Sequence, residues 1–160
     1  MASRTSVGTL VLAIAIFLTP KASEACSCVD IQRTEEQRAE EFRAEYGRAI
    51  AVFVGRATGD DGYQATFEVR RVWKGDLSER AVVQTGVRPA NPGVVTISSG
   101  DYHFAAGKTY LVFAYGTASQ LKSQCCSPTN QVDLAAEALQ RLKSIASPRP
   151  PHQRIEPPRR

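Results

Sequence analysis

The stretch YQATFEVRRV, residues 63–72, carries the clearest structural pattern in the chain. From Tyr63 to Val69 apolar and polar residues alternate, which predicts a β-strand with one buried face. At Arg70 and Arg71 the alternation slips by one position, and the apolar face resumes at Val72. A β-bulge is the simplest account of such a slip, and small curved barrels use bulges of this kind.

Four further segments are predicted to be strands, and turn signals such as Asp60-Asp61-Gly62 separate them. They are residues 50–55, 81–85, 94–97 and 109–115, whereas residues 116–127 have the composition of a polar loop. Five strands favour a mainly β fold with a small closed barrel of the OB type. An open sandwich of five strands fits the same spacing, and the pattern alone does not choose between the two.

One helix is predicted on each side of the strands. Thr34 and Gln37 have the S/T-x-x-E/Q spacing of a capping box, and a narrow apolar stripe follows to about Tyr46. Asn130 is a candidate cap for a second helix, whose apolar stripe contains Leu134, Ala138, Leu142 and Ile145. We therefore expect a surface helix before the strands and an amphipathic helix after them.

Residues 1–25 are predicted to be a secretory signal peptide. The apolar run from Val7 to Leu18 is too short to span a bilayer comfortably, and the small residues Ser23 and Ala25 favour cleavage after Ala25. An uncleaved anchor helix and a lipid-modified Cys26 are the alternatives, and Glu24 disfavours the second. The mature protein is expected outside the cytoplasm, secreted or periplasmic, with no membrane span.

The remaining chain divides into a body, residues 26–146, and a tail, residues 147–160. The tail holds five prolines and four arginines, so we expect it to be disordered. The formal net charge of +4 comes from the leader and the tail, which leaves the body neutral. A neutral body does not have the basic surface of a nucleic-acid-binding protein.

Four cysteines, Cys26, Cys28, Cys125 and Cys126, predict two disulfides in an oxidising compartment. Two of the three possible pairings join the first pair of residues to the second, and each bridge would close a loop worth on the order of 4 kcal/mol. The third pairing needs two very small, strained rings. A zinc site made of all four thiols is a further alternative, but C-x-C and C-C are poor spacings for it.

Sequence signatures of catalysis are lacking. The chain has no G-x-S-x-G, no H-E-x-x-H and no Gly-rich phosphate loop, and neither His103 nor His152 has a partner in sequence. We therefore expect a protein that is not an enzyme and has no cofactor of its own.

Cleavage after Ala25 would give Cys26 a free α-amine, which titrates at about pH 7.7–8.0 and is partly neutral at physiological pH. With the carbonyl of the same residue it can form a five-membered chelate around a metal ion. An ordinary terminus frays, and disulfides at Cys26 and Cys28 would hold this one rigid. The alternative is that the bridges only fasten a loose terminus to a small barrel.

Five sequence segments occur in the order found in one known family. They are CSCV at 26–29, AVFVGR at 51–56, FEVRRVWKG at 67–75, GKTYLVF at 107–113 and CSPT at 126–129. In these segments, from Cys26 to about Leu142, the chain resembles the N-terminal, netrin-like domain of the tissue inhibitors of metalloproteinases. The resemblance implies a five-stranded OB-fold (netrin-like) barrel and a secreted, monomeric protease inhibitor.

The resemblance also implies roles for individual residues. The α-amine and carbonyl of Cys26 would bind the catalytic zinc of a metalloendopeptidase, and that zinc belongs to the target. Ser27 would point into the main specificity pocket, and Cys28 and Val29 would continue the inserted edge. Cys28 would pair with Cys126, which leaves Cys125 for Cys26.

Two departures from the family stand in this sequence. Residues 98–101, SSGD, lack the mid-domain cysteine that pairs with the first cysteine in the family, and Asp30 replaces a proline of the animal inhibitors. The alternative functions are a netrin-like binding module with no protease target and a thiol-redox or metal-carrying protein, which would require free thiols.

Overall fold

The structure is a computed structural model that describes residues 32–86 and 102–152. In chain order these ranges form α1 (Glu35–Arg48), β1 (Ala51–Asp60), β2 (Gln64–Lys74), β3 (Arg80–Gln84), β4 (Thr109–Thr117), β5 (Gln120–Lys122), β6 (Asn130–Gln131) and α2 (Ala136–Ile145).

Strands β1 to β5 close into a barrel. Their order is β1-β2-β3-β5-β4, and β4 pairs back onto β1. The pairing of β3 with β5 is parallel and the other barrel pairings are antiparallel. The two-residue strand β6 pairs with β4 at Tyr110 and Leu111. The expected mainly β barrel, with one helix before the strands and one after them, is confirmed, and its closure is consistent with an OB fold.

The expected bulge in β2 is also confirmed. Val54 of β1 lies opposite Arg71 and Gly55 lies opposite Val69, so that Arg70 has no opposite residue. Val69 is buried and Arg70 is exposed, as the slipped alternation predicted. Two more register shifts in this hairpin increase the curvature that closes the barrel.

The fifth barrel strand lies in a segment that we expected to be a polar loop. Residues 116–127 contain the end of β4 and all of β5, so that expectation is wrong. β5 is three residues long and only Leu121 is buried, which is too little for a hydrophobic period. Its backbone bonds to β3 and β4 make it a strand. The strand predicted at residues 94–97 lies outside the described residues.

Two hydrophobic cores use opposite faces of β1, which explains its unbroken apolar run. The inward face contributes Phe53 and Ala57 to the barrel interior, where Phe53 packs edge-on against Phe67. The outward face contributes Val52 and Val54 to a second core beneath the helices.

Both helices cover that outer face. The capping box of α1 is confirmed: Thr34 Oγ1 accepts from the Gln37 amide at 3.3 Å, and Gln37 Oε1 accepts from the Thr34 amide at 2.9 Å. Phe42 of α1 packs edge-on against Phe113, and Leu142 of α2 is fully buried.

The predicted start of α2 is wrong. Asn130 lies in β6, and its side chain accepts from the Gln131 amide rather than capping a helix. Leu134, expected in the apolar stripe, precedes the helix and is 69% exposed. The cap position of α2 is Ala135 instead of Asn130, because residues 130–131 complete the sheet first.

The tail is ordered where the structure describes it, which corrects our expectation of disorder for residues 147–152. Arg149 and Val72 exchange backbone hydrogen bonds at 2.8 and 2.9 Å, and the His152 amide donates to the Leu77 carbonyl at 2.8 Å. The tail thereby covers an edge of β2 that β3 leaves open. Residues 153–160 lie outside the described residues.

Candidate functional site

The loop that carries Cys125 and Cys126 joins β5 to β6, and both of its ends are fastened to the barrel. At the β5 end, the Ser123 amide and hydroxyl both donate to the Gln84 carbonyl, at 2.7 and 3.1 Å. At the β6 end, the fastening residue is Thr129, which is 5% exposed. The two cysteines therefore sit on a short segment between two fixed points.

Thr129 is bonded to the backbone of β4 through its side chain. Its Oγ1 accepts from the Phe113 amide at 2.9 Å and donates to the Phe113 carbonyl at 3.4 Å. Thr129 immediately precedes β6, and its hydroxyl makes the two hydrogen bonds to Phe113 that the backbone of a neighbouring strand would otherwise make. A buried amide without such a partner is costly, so this contact fixes the position of the loop.

Both sulfurs in the loop are disulfide-bonded. The Sγ atoms of Cys125 and Cys126 are 3.8 Å apart, whereas a disulfide bond is about 2.05 Å long. The two residues are therefore not bonded to each other, and neither thiol in the described part of the chain is free.

The loop presents the two cysteines differently. Cys125 is half-buried and Cys126 is exposed. The backbone of Cys126 has φ +61°, a left-handed conformation that costs a residue with a side chain roughly 1–2 kcal/mol. The bonds of Ser123 and Thr129 hold this turn in place.

A polar network ties helix α1 to the same loop. The Tyr115 hydroxyl donates to Glu45 Oε2 at 2.8 Å, and the Ser127 side chain also bonds to this tyrosine. Burial raises the pKa of Tyr115, and the hydrogen bond to Glu45 raises it further. A neutral, donating phenol thus links the helix, β4 and the residue that follows Cys126.

The groove between this loop and the helices is lined by charges that are already paired. Arg33 contacts Glu41 at 2.8 Å, and Arg141 contacts both Glu35 and Glu137 at 2.5 and 2.8 Å. The hydrogen bond from Arg141 also lowers the pKa of Glu137. Because both acidic and basic side chains line the groove, it has no large field of one sign.

The residues that we predicted to contact a protease, Cys26, Ser27, Cys28 and Val29, lie outside the described residues. Of the predicted disulfide candidates, the structure describes Cys125 and Cys126 and places both at the loop above. Of the two histidines, His103 is exposed and His152 contacts Asp76 at 2.5 Å on the surface.

The described residues contain neither a group of side chains suited to a metal ion nor a membrane-spanning helix. Within residues 32–86 and 102–152, no cluster of three or more His, Cys, Asp or Glu side chains could hold a metal ion. In that same part of the chain, no helix is both long and apolar enough to cross a membrane.

Sequence reasoning missed the supports of the loop. Thr129 stood within the CSPT segment, but nothing in the sequence assigned its hydroxyl to Phe113. The Glu45–Tyr115 contact joins a helix to a strand 70 residues away, and single-sequence patterns carry no signal for such a pair.

No protein-family model matches this chain, and no curated protein matches it either.

Proposed function

We propose that this protein is a secreted inhibitor of zinc metalloendopeptidases that acts through the mature N-terminal residue, Cys26. The observation that carries the proposal is the pair of disulfide-bonded sulfurs at Cys125 and Cys126, which are not bonded to each other. The resemblance to the tissue inhibitors of metalloproteinases supplies the target class.

Counting cysteines supports the link between the loop and the N-terminus. The chain has four cysteines, so Cys26 and Cys28 are the partners left for Cys125 and Cys126 within one molecule. We assign the bridges as Cys26–Cys125 and Cys28–Cys126, in line with the resemblance. Both bridges would then fasten the first three residues of the mature chain to one loop.

The supports of that loop give the proposal its physical basis. Thr129 and Ser123 hold the loop to β4 and β3, and two bridges would pass this rigidity to the N-terminal segment. An ordinary terminus frays, and ordering it on binding costs free energy. A terminus that is already ordered in the free inhibitor avoids that cost.

The proposed mechanism uses main-chain atoms of Cys26. Its neutral α-amine and its carbonyl oxygen would chelate the zinc of the target enzyme, and signal-peptide cleavage would create the amine. Ser27 is small enough to enter the specificity pocket of many targets, and Cys28 and Val29 would extend the contact. The metal belongs to the protease.

An N-terminal extension tests this mechanism. One alanine added before Cys26 leaves every side chain in place but moves the free amine and blocks the chelate. We expect inhibition of a responsive zinc protease to fall at least about 100-fold, equivalent to about 2.7 kcal/mol, with an unchanged urea midpoint. One alanine added after Arg160 is the matched control and should inhibit normally. Equal inhibition by both proteins would refute the mechanism.

A non-inhibitory binding module is the second candidate. The observation that favours it is the sequence SSGD at residues 98–101, which lacks the cysteine that the first cysteine uses in the family. A panel of zinc metalloendopeptidases separates the two candidates. Failure of every enzyme to respond at micromolar protein, with Cys26 shown to be the unblocked first residue, would favour the module.

A further inference from the structure

Strand β2 extends beyond its neighbour β3 and has a stretch of edge with no strand beside it. β3 pairs with Gln64–Glu68, whereas β2 continues to Lys74. The remaining stretch, Val69–Lys74, forms an open edge, in which Val72 bonds to the tail through both its amide and its carbonyl. A strand edge of this kind is a template for pairing with another extended chain.

The tail makes few backbone bonds to the open edge because of its sequence. Prolines stand on both sides of Arg149 and have no amide hydrogen to donate. Arg149 and Val72 form an isolated antiparallel pair, supported by the Arg149 side chain on the Gly75 carbonyl and the His152 amide on the Leu77 carbonyl. No described residue of the tail is buried. The tail thus covers the open edge with one backbone pair, whereas an antiparallel strand bonds at every second residue.

The open edge carries basic side chains that have no acidic partner. Arg70 and Arg71 are exposed, and in the described part of the chain neither forms an ion pair with a carboxylate. The Arg71 guanidinium lies over the Trp73 ring, 5.6 Å from its centroid. The nearest acidic residues in the sequence, Glu68 and Asp76, flank the open edge and do not lie in it. The open edge is therefore a positively charged stretch of strand.

The tail brings more positive charge to this stretch. Lys74 donates to the carbonyls of Tyr46 and Gly47 at 2.7 and 2.8 Å and lies over the Tyr46 ring. Burial raises the pKa of Tyr46 and the charge of Arg149 acts to lower it, so that a second cation lies close to the same ring. Because like charges repel, an extended segment with carboxylates would match the open edge better than the tail does.

We propose that the open edge of β2 is a docking site for an acidic, extended segment of a partner protein, and that the tail is its displaceable cover. The segment would add a strand antiparallel to β2, in the direction that Arg149 already takes. It would bond to the backbone of Val72 and place carboxylates beside Arg70 and Arg71. Docking would exchange one backbone pair for several, and charge repulsion for attraction. The proposal does not depend on protease inhibition.

Fluorescence anisotropy of the full exported chain with labelled synthetic peptides tests the docking. The probe is TEVEVET, with alternating glutamates and a complete set of amides. TKVKVKT reverses the charge, and TEPEPET keeps the charge but has prolines on both sides of its central glutamate, as the tail has around Arg149. TEVEVET should bind at least about tenfold more tightly than either control, equivalent to about 1.4 kcal/mol.

Two results of that experiment would overturn the proposal. Equal binding of TEVEVET and TEPEPET would show attraction of any anionic chain without strand pairing. A lack of TEVEVET binding at about 1 mM would show that the open edge does not accept an acidic strand.

Charge reversal locates the site. Arg70→Glu combined with Arg71→Glu should weaken TEVEVET binding at least about tenfold. Arg43→Glu combined with Lys122→Glu is the matched control, because it makes the same change in net charge at exposed residues of α1 and β5. The control should change the affinity less than about threefold. Urea unfolding checks that both variants are folded, and equal weakening by the two would overturn the proposal.

Loosening the tail tests its role as a cover. Arg149→Pro removes the amide that donates to the Val72 carbonyl at 2.8 Å, so TEVEVET should bind about fivefold more tightly. Ser147→Pro adds a proline at an exposed tail position that makes no hydrogen bond within the described residues, and it should leave the affinity unchanged. Equal affinities for the two variants would contradict a displaceable cover.

Amide hydrogen exchange of the full chain shows what the peptide displaces. On binding of TEVEVET, the Arg149 amide should lose protection while the Val72 amide keeps it, because the peptide replaces the tail as its partner. A bound peptide that leaves the Arg149 amide protected would overturn the proposal. An Arg149→Pro variant that forms dimers and does not bind the peptide would overturn it too, and would identify a second copy as the occupant.

Discussion

The hydroxyl of Thr129 is predicted to stabilise the protein because it is the hydrogen-bonding partner of a buried backbone amide. Thr129→Val keeps the branched shape and the volume of the side chain and removes only the polar contact. In the variant the Phe113 amide, which donates to Oγ1 at 2.9 Å, would be left without that acceptor. A buried donor without a partner costs about 1–3 kcal/mol, so we expect a loss of about 2 kcal/mol.

Equilibrium unfolding in urea with the disulfides intact measures this loss. With an m-value of about 2 kcal/mol/M, the midpoint should fall by about 1 M. Thr129→Ser keeps the hydroxyl and loses one methyl group, so it should cost only about 1 kcal/mol.

Thr58→Val is the matched control. The Thr58 hydroxyl donates to the Thr66 carbonyl at 3.1 Å on an exposed part of β1, where water can replace the bond. We expect a change within about 0.5 kcal/mol, as for most surface substitutions. Equal losses at Thr129 and Thr58, or a larger loss for Thr129→Ser than for Thr129→Val, would refute the assignment of a buried polar anchor.

Three further predictions concern the barrel and its edge. Gly75→Ala should lower the free energy of unfolding in urea by more than about 2 kcal/mol, because φ is +87° and a Cβ would lie 2.8 Å from the Ile50 carbonyl oxygen. Gly62→Ala is the control: φ is +85° but the space around it is open, so it should cost only about 1 kcal/mol. Burial and Glu45 raise the pKa of Tyr115, so the neutral phenol contributes fully to the free energy of unfolding below the unfolded pKa of about 10, and this contribution is lost as pH rises further. Tyr115→Phe should therefore flatten the fall in stability above about pH 10. An unchanged slope would contradict this. Ending the chain at Ser147 should speed hydrogen exchange at the Val72 amide, which donates to the tail at 2.9 Å, and unchanged protection would show that the tail does not cover this edge.

The sequence predicted those parts of the fold in which the pattern of apolar and polar side chains reflects burial or a local hydrogen bond. The alternation in β2 predicted its buried face and the slip at Arg70, because one side of this strand faces the barrel interior. The capping box at Thr34 was likewise visible, since both of its bonds join residues three positions apart.

Other parts depend on backbone pairing and left no such pattern. β5 has a single buried residue and is a strand only because β3 and β4 lie on either side of it. Arg149 docks onto Val72 through main-chain atoms, which any residue could supply, and so the tail composition suggested disorder instead.

The candidate site was predicted in part. The cysteine count and the adjacent pair at 125 and 126 pointed to the loop between β5 and β6 as the candidate site, but not to the 3.8 Å separation of its sulfurs. The hydrogen bonds of Thr129 and Tyr115 join residues distant in sequence. The sequence alone does not distinguish these buried or part-buried hydroxyl groups from exposed ones.

The most direct test of the proposed chelator is N-terminal sequencing combined with the intact mass of the exported protein. We expect the chain to begin at Cys26 with an unblocked amine, and its mass to be four hydrogens below that of the fully reduced chain. A protein that begins at any other residue, carries an acyl group on its first nitrogen or has the mass of the reduced chain would contradict a disulfide-held, zinc-binding terminus.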